Sequence, residues 1–154
     1  PRLSYWGVAV YPVQLTILGK PVSQKNDKRI VRSGQRTFIA SSKKVLEWKA
    51  DAVRQLKCQW ANRECIDGGI ELSVNVISYL GKRQRTDVDN LAAGPLDSLE
   101  KAGIIANDYW IKHLICERRK DDENPRVEIT IRLYAELGDE RKEAELLSEL
   151  HSAD

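Results

Sequence analysis

The chain has 154 residues, the length of one domain, and 42% of them are hydrophobic, enough for a single core. Its apolar runs are too short for a membrane-spanning helix and its first residues do not resemble a signal peptide, which sets the expectation of a soluble, cytoplasmic protein. The net charge of +2 hides an asymmetry: from Glu136 onward seven acids face only Arg141 and Lys142, leaving 23 basic and 16 acidic residues and a charge of +7 on the body, which permits phosphate binding without showing it.

Tyr5–Tyr11 is apolar and is broken by Pro12. Val13–Leu18 alternates with period 2 and reads as a strand, ended by Gly19-Lys20-Pro21. From there to Arg36 the chain is polar and basic, with Lys25, Lys28, Arg29, Arg32 and Arg36, and reads as a long loop. Such a loop is either an arm that grips phosphates or a solvated connection. Thr37–Ala40 has the makings of a short strand. Ser41 or Ser42 supplies the N-cap of a helix reaching to about Asn62, with Leu46, Ala50, Val53, Leu56 and Trp60 on its apolar face. Cys58, Cys65 and Cys116 are odd in number and form no CxxC pair, so neither a disulfide framework nor a structural zinc site is expected.

Ile70–Val76 alternates strictly and predicts a strand with one buried face, continuing through Leu80. The basic run Lys82-Arg83-Gln84-Arg85 follows, then Thr86-Asp87-Val88-Asp89-Asn90-Leu91. Leu96–Ala102 is a helix closed by Gly103, with Gly94-Pro95 at its start or at a kink. Ile104–Asp108 turns into a strand from Tyr109 to about Glu117, and residues 118–125 read as a charged hairpin connection to a last strand carrying Val127, Ile129, Ile131 and Leu133. Past Gly138 an amphipathic segment carries Ala144, Leu147 and Leu150. This order predicts an α+β two-layer sandwich, a mixed β-sheet with two helices on one face, plus a C-terminal helix. The expected division is a body over 1–138 and an acidic tail over 139–154.

Asp87 and Asp89 are the residues that suggest chemistry. In an extended segment side chains two apart share a face, so both carboxylates could meet one cation, and Asp108 could join them if the helix returns the chain to the same end of the sheet. Mg2+, with Mn2+ as the substitute, takes hard oxygen ligands of this kind together with phosphate oxygens. Lys82, Arg83 and Arg85 would then neutralise flanking phosphates, with Lys25, Arg29, Arg36 and Lys112 as further candidate contacts. Asn90 would cap the helix and hold Asp89. The same acid pair equally fits a helix start with no metal at all.

The run Asp87-Val88-Asp89-Asn90-Leu91, then Asp97-Ser98-Leu99-Glu100-Lys101-Ala102-Gly103, then Asn107-Asp108-Tyr109-Trp110-Ile111 resembles the RusA family of Holliday junction resolvases. Leu18–Ser23 and the helix from Ser41 are similar to that family's opening segment. The resemblance implies a Mg2+-dependent endonuclease acting as a homodimer on four-way DNA junctions in recombination and repair. It carries the acidic triad onto Asp87, Asp89 and Asp108 and the family's Asn onto Asn90. Three positions depart from the pattern: Ala93 stands where the family usually has Lys, Pro95 is shifted by Gly94, and Asn107 replaces an Asp. The loss of the Lys keeps two alternatives open, a weak or inactive junction-binding relative and another metal-dependent nuclease acting on flap DNA or RNA.

Overall fold

The computed structural model describes residues 9–23 and 28–138. Its elements are β1 (Val13–Leu18), β2 (Lys28–Ser33), β3 (Arg36–Ser41), α1 (Lys43–Trp60), β4 (Leu72–Leu80), α2 (Asp89–Lys101), a 3-10 turn (Asp108–Trp110), β5 (Ile111–Lys120) and β6 (Arg126–Leu133). Alternation decides which face each strand buries. Val13, Leu15 and Ile17 of β1 and Val127, Ile129 and Ile131 of β6 point into the core, where they meet Leu72, Val74 and Val76 of β4. Ala52, Leu56 and Trp60 of α1 and Leu99 of α2 cover them from one side. The result is the expected α+β architecture, a mixed sheet of order β1-β6-β4-β5 under helices. β6 is antiparallel to β1 and to β4, whereas β4 and β5 are parallel and joined through α2. Among the described residues no helix is long and apolar enough to cross a membrane.

Three expectations are corrected. The stretch read as a basic loop contains a hairpin: β2 and β3 pair antiparallel through a two-residue turn, Gly34-Gln35. Gly34 sits at φ 60°, the left-handed region that a tight hairpin turn asks of its first central residue. The buried face of α1 is rotated by about one residue, to Val45, Ala52, Leu56 and Trp60, leaving Leu46 50% exposed. Val45 and Leu46 are both apolar, so helical spacing alone fits either face. Ser42 is the N-cap, its hydroxyl accepting from the Val45 N–H at 3.3 Å. Finally, β5 and β6 are not a hairpin. They flank β4, and residues 121–125 pass over its end. Gly81 permits that passage, since a Cβ there would lie 3.1 Å from Cγ of Pro125.

The C-terminus of α2 follows its sequence signal closely. Gly103 at φ 73° donates to the Glu100 carbonyl and Ile104 to that of Leu99, each at 3.0 Å. This double closure satisfies two of the helix's last carbonyls, with buried Leu99 and Ile104 packed in the same core. Pro95 lies inside α2 rather than at its start, so it cannot donate to the Leu91 carbonyl; the Ser98 hydroxyl donates to the Gly94 carbonyl at 2.8 Å. Residues 134–138 are helical, and the helix expected over 139–154 lies outside the described residues.

The two outer edges of the sheet are treated differently. Along β1, the Gln59 carboxamide accepts from the Thr16 N–H at 2.9 Å and donates to its carbonyl at 2.7 Å. Gln55 repeats the pattern at Leu18, at 2.8 and 3.1 Å. Two helix side chains thus occupy backbone groups that an edge strand otherwise offers to another chain. Replacing both, as Gln55→Ala with Gln59→Ala, is expected to lower stability by about 1–3 kcal/mol in urea denaturation, at roughly 0.5–1.5 kcal/mol per weak bond lost and partly regained from water.

Candidate active site

Asp87 and Asp89 lie beyond the carboxyl end of β4, and the loop that carries them is tied down from several sides. Gln84 N–H donates to the Gly81 carbonyl at 3.1 Å, closing a turn in which Arg83 has φ 63°. The Gln84 side chain donates to the Pro21 carbonyl. Lys120, at the end of β5, donates to the carbonyls of Gln84 at 2.7 Å and Gly81 at 3.3 Å. Arg118 donates to the Thr86 carbonyl at 2.8 Å, one residue before Asp87. β5 therefore sets where the acidic loop sits.

This arrangement leaves a cleft of about 660 Å3, lined by Leu80, Gln84, Arg85, Thr86, Asp87, Arg118, Arg119 and Lys120. A carboxylate there stands among cations, as a site for a metal ion and a phosphate requires. Arg119 is held by Glu117 at 2.6 Å and by the Tyr79 hydroxyl at 3.2 Å, and the guanidinium keeps the Glu117 carboxyl below its ordinary value. Arg126 buttresses the crossover behind the cleft. It bonds Asp121 at 2.7 Å and Glu128 at 2.8 Å and stacks on Tyr79 at 3.8 Å from the ring centre. Its hydrogen bond holds the Asp121 carboxyl below the usual range.

Asp87 and Asp89 are not in an extended segment. Val88 has φ −61° and ψ −37°, Asn90 N–H donates to the Asp87 carbonyl at 3.1 Å, and Asp89 is already in the first turn of α2. Asn90 is not the cap that was expected. It is buried as the second helical residue, and its Oδ1 has no hydrogen-bond partner among the described residues. Both carboxylates are exposed, and Asp89 sits where the N–H groups of a helix favour negative charge.

Asp108 is placed elsewhere. It opens the 3-10 turn before β5, at the end of the sheet where Leu72 pairs with Ile111, while the Asp87 loop lies at the other end, where Leu80 pairs with Lys120. The crossover helix carries the chain back along the sheet, about 20 Å over 13 residues. The expectation that it returns the chain to the same end is therefore wrong for a single protomer. Among the described residues no three acids, histidines or cysteines come close enough to hold a metal ion. The turn itself is well fixed: the Asn107 side chain accepts from the Tyr109 N–H at 2.8 Å, and Trp110 lies so close over Gly68 that a Cβ there would be 3.2 Å from Nε1. A capping role needs only a side-chain oxygen, which Asn107 supplies as well as Asp would.

Among the basic residues singled out from sequence, Arg85 lines the cleft and Lys82 and Arg83 are exposed on the same loop. Arg29 and Arg36 are exposed on the β2–β3 hairpin. A second, smaller cleft is lined by Pro21, Val22, Ser23, Lys44, Gln84, Arg85 and Thr86. Lys112 keeps company with Asp108 instead, 3.7 Å from Glu71 and 5.2 Å from the centre of the Tyr109 ring. Lys25 lies outside the described residues. Sequence reasoning missed Arg118 and Lys120, reading them as part of a hairpin connection. The available signal was the strand–helix–strand order, which puts the carboxyl ends of two parallel strands side by side, where open α/β sheets bind ligands.

A model of the RusA endodeoxyribonuclease family matches residues 19–132. The chain is also similar to a crossover junction endodeoxyribonuclease RusA of Aquifex aeolicus (strain VF5), at 33% identity over 100 residues, which span 64% of this chain and 74% of that protein.

Proposed function

This chain belongs to the RusA family of endodeoxyribonucleases, and from that premise we propose that it is a Mg2+-dependent nuclease, working on DNA in the cytoplasm, that resolves four-way junctions as a homodimer during recombination and repair. The observation that carries the reading is the placement of Asp87 in a cleft walled by Arg85, Arg118 and Lys120, with Asp89 two residues on. The donor set fits such a cation: Mg2+ binds one or two carboxylates and completes its shell with water and substrate phosphate. Asn90, next in sequence to Asp89, carries a buried Oδ1 with no hydrogen-bond partner among the described residues. When bound, the ion lowers the pKa of a coordinated water and polarises the phosphate.

The chain's own residues do the rest. Asp87 and Asp89 supply hard oxygen ligands. Arg85 and the exposed cations Lys82 and Arg83 neutralise flanking phosphates. Arg29 and Arg36 extend that contact along the hairpin. Arg118 and Lys120 act one step removed, fixing the loop through Thr86, Gly81 and Gln84. Asp108 reaches the pair only from a second copy, which makes the dimer part of the site rather than a convenience of symmetry.

The second reading, a junction binder with little turnover, is favoured by Ala93, exposed in the first turns of α2, at the position where the resemblance to the family implies a Lys. One assay separates the two. A labelled synthetic four-way junction incubated with the protein is expected to be cut into paired nicked duplexes with Mg2+ and to stay intact in EDTA. Duplex, flap and RNA substrates of equal length should remain uncut. Tight, salt-sensitive binding without cleavage at any metal concentration would transfer the case to the second reading.

A further inference from the structure

We propose that the β2–β3 hairpin is a wedge: Ile30 and Ile39, an apolar pair at its centre, insert against nucleobases left unstacked at a DNA branch point, and this makes the protein prefer branched DNA to continuous duplex. The proposal deepens the nuclease reading and rests on it for the DNA. β2 and β3 form a two-stranded sheet of their own. Ile30 and Ile39 are cross-strand partners, 73% and 70% exposed, more than any other large hydrophobic side chain among the described residues. Neither belongs to the core cluster. Side chains two apart on a strand share a face, so Arg32 stands on the side of Ile30, and Thr37 on that of Ile39. An exposed apolar pair rimmed by polar groups marks a place of contact.

Charge selects the partner. Between Arg29 and Leu46 the chain carries Arg29, Arg32, Arg36, Lys43 and Lys44 and no acid, and all five cations are exposed. A second copy seated hairpin against hairpin would set these cations against themselves. A polyanion answers the charge, and nucleic acid also offers flat apolar base faces for the isoleucines. In a continuous duplex those faces are stacked, and apolar side chains, isoleucine among them, enter only by unstacking a base step at a cost in free energy. At a branch point the stacking is already interrupted, so the same insertion costs less there. The placement agrees with this use. Lys44, just past the end of β3, lines the smaller cleft with Arg85 and Thr86, and Arg85 also lines the cleft of Asp87. The chain thus returns from the hairpin to the body next to the loop that carries the candidate metal ligands.

The test reads base stacking, in EDTA so that no strand is cut. A synthetic four-way junction carrying 2-aminopurine at the branch should gain emission when the wild-type protein binds, and the same base placed far out along an arm should not. Ile30→Thr with Ile39→Thr keeps β-branched side chains in both strands. It should bind duplex as wild type does, lose the emission gain, and lose about 10-fold in preference for junction over duplex. Ile30→Val with Ile39→Val should retain both. Arg29→Gln with Arg36→Gln should weaken binding of junction and duplex alike, with a shallower salt dependence. Circular dichroism and a cooperative melt establish that each variant is folded, and sedimentation velocity on the Thr variant should match wild type. Three results each overturn the wedge: unchanged emission with wild type, a Thr variant that keeps the emission gain or the preference, or a changed oligomeric state in that variant, which would give the pair to a protein contact. No readout here is cleavage. A protein that unstacks the branch but never cuts with Mg2+ keeps this inference and loses the nuclease reading, and one that cuts junctions without the emission gain does the reverse.

Discussion

Asp89→Asn is expected to slow cleavage of a four-way junction by about 10²–10⁴-fold, the range for loss of a group that acts on the transferring proton, and a metal ligand should cost no less. Binding of the same junction in EDTA should be unchanged or tighter. The two halves of that result follow from one fact. The carboxylate is exposed in the first turn of α2, two residues after Asp87, which lines the cleft with Arg85, Arg118 and Lys120, so its charge repels phosphate until a cation intervenes. Asn keeps the shape and a carbonyl oxygen but removes the charge. Asp87→Asn should behave alike. The measurement pairs single-turnover cleavage with a gel-shift titration. Loss of binding together with activity would mean that the acids hold the loop rather than a metal ion. Equal cleavage by variant and wild type would end the assignment altogether.

The larger diagnostic effect comes from mixing two inactive proteins. Asp89→Asn and Asp108→Asn should each be silent alone, and co-refolding them in equal amounts should restore nicking to about a quarter of the wild-type level, because half the dimers are mixed and each holds one intact site of two. The arithmetic depends on geometry already described: Asp87 and Asp89 lie beyond one end of the β4–β5 pair and Asp108 at the other, with the length of α2 between them. If a single chain completed its own site, a mixture would stay silent. Nicking, rather than paired incision, is the proper readout, since a mixed dimer carries one working site.

The Asp positions were legible because the chemistry is short-range in sequence: two carboxylates, a basic run before them and a helix after. The same holds for Gly103, whose positive φ follows from its place after the last turn of α2. What was not legible depends on how separate segments meet. The face of α1 could not be chosen between Val45 and Leu46 until the sheet supplied a partner. β2 was hidden because Lys28, Arg29 and Arg32 break any apolar alternation, and only Gly34 marks the turn. The β5–β6 link looks like a hairpin because both strands and the connection are local, yet β4 lies between them. The meeting of Asp108 with the other acids failed on direction: a helix between parallel strands returns the chain to where the first strand began.

The amides of Gln55 and Gln59 have a consequence for how far assembly can go. A strand edge that accepts its own copy generates a closed pair only if the far side of each sheet refuses further strands; otherwise the same backbone chemistry continues into a filament. With the N–H and carbonyl groups of Thr16 and Leu18 occupied, the β1 edge of the four-stranded sheet has little left to offer an added strand. The two carboxamides therefore guard one edge of the sheet, and a change that frees β1 uncovers backbone groups to which a strand of another chain can add.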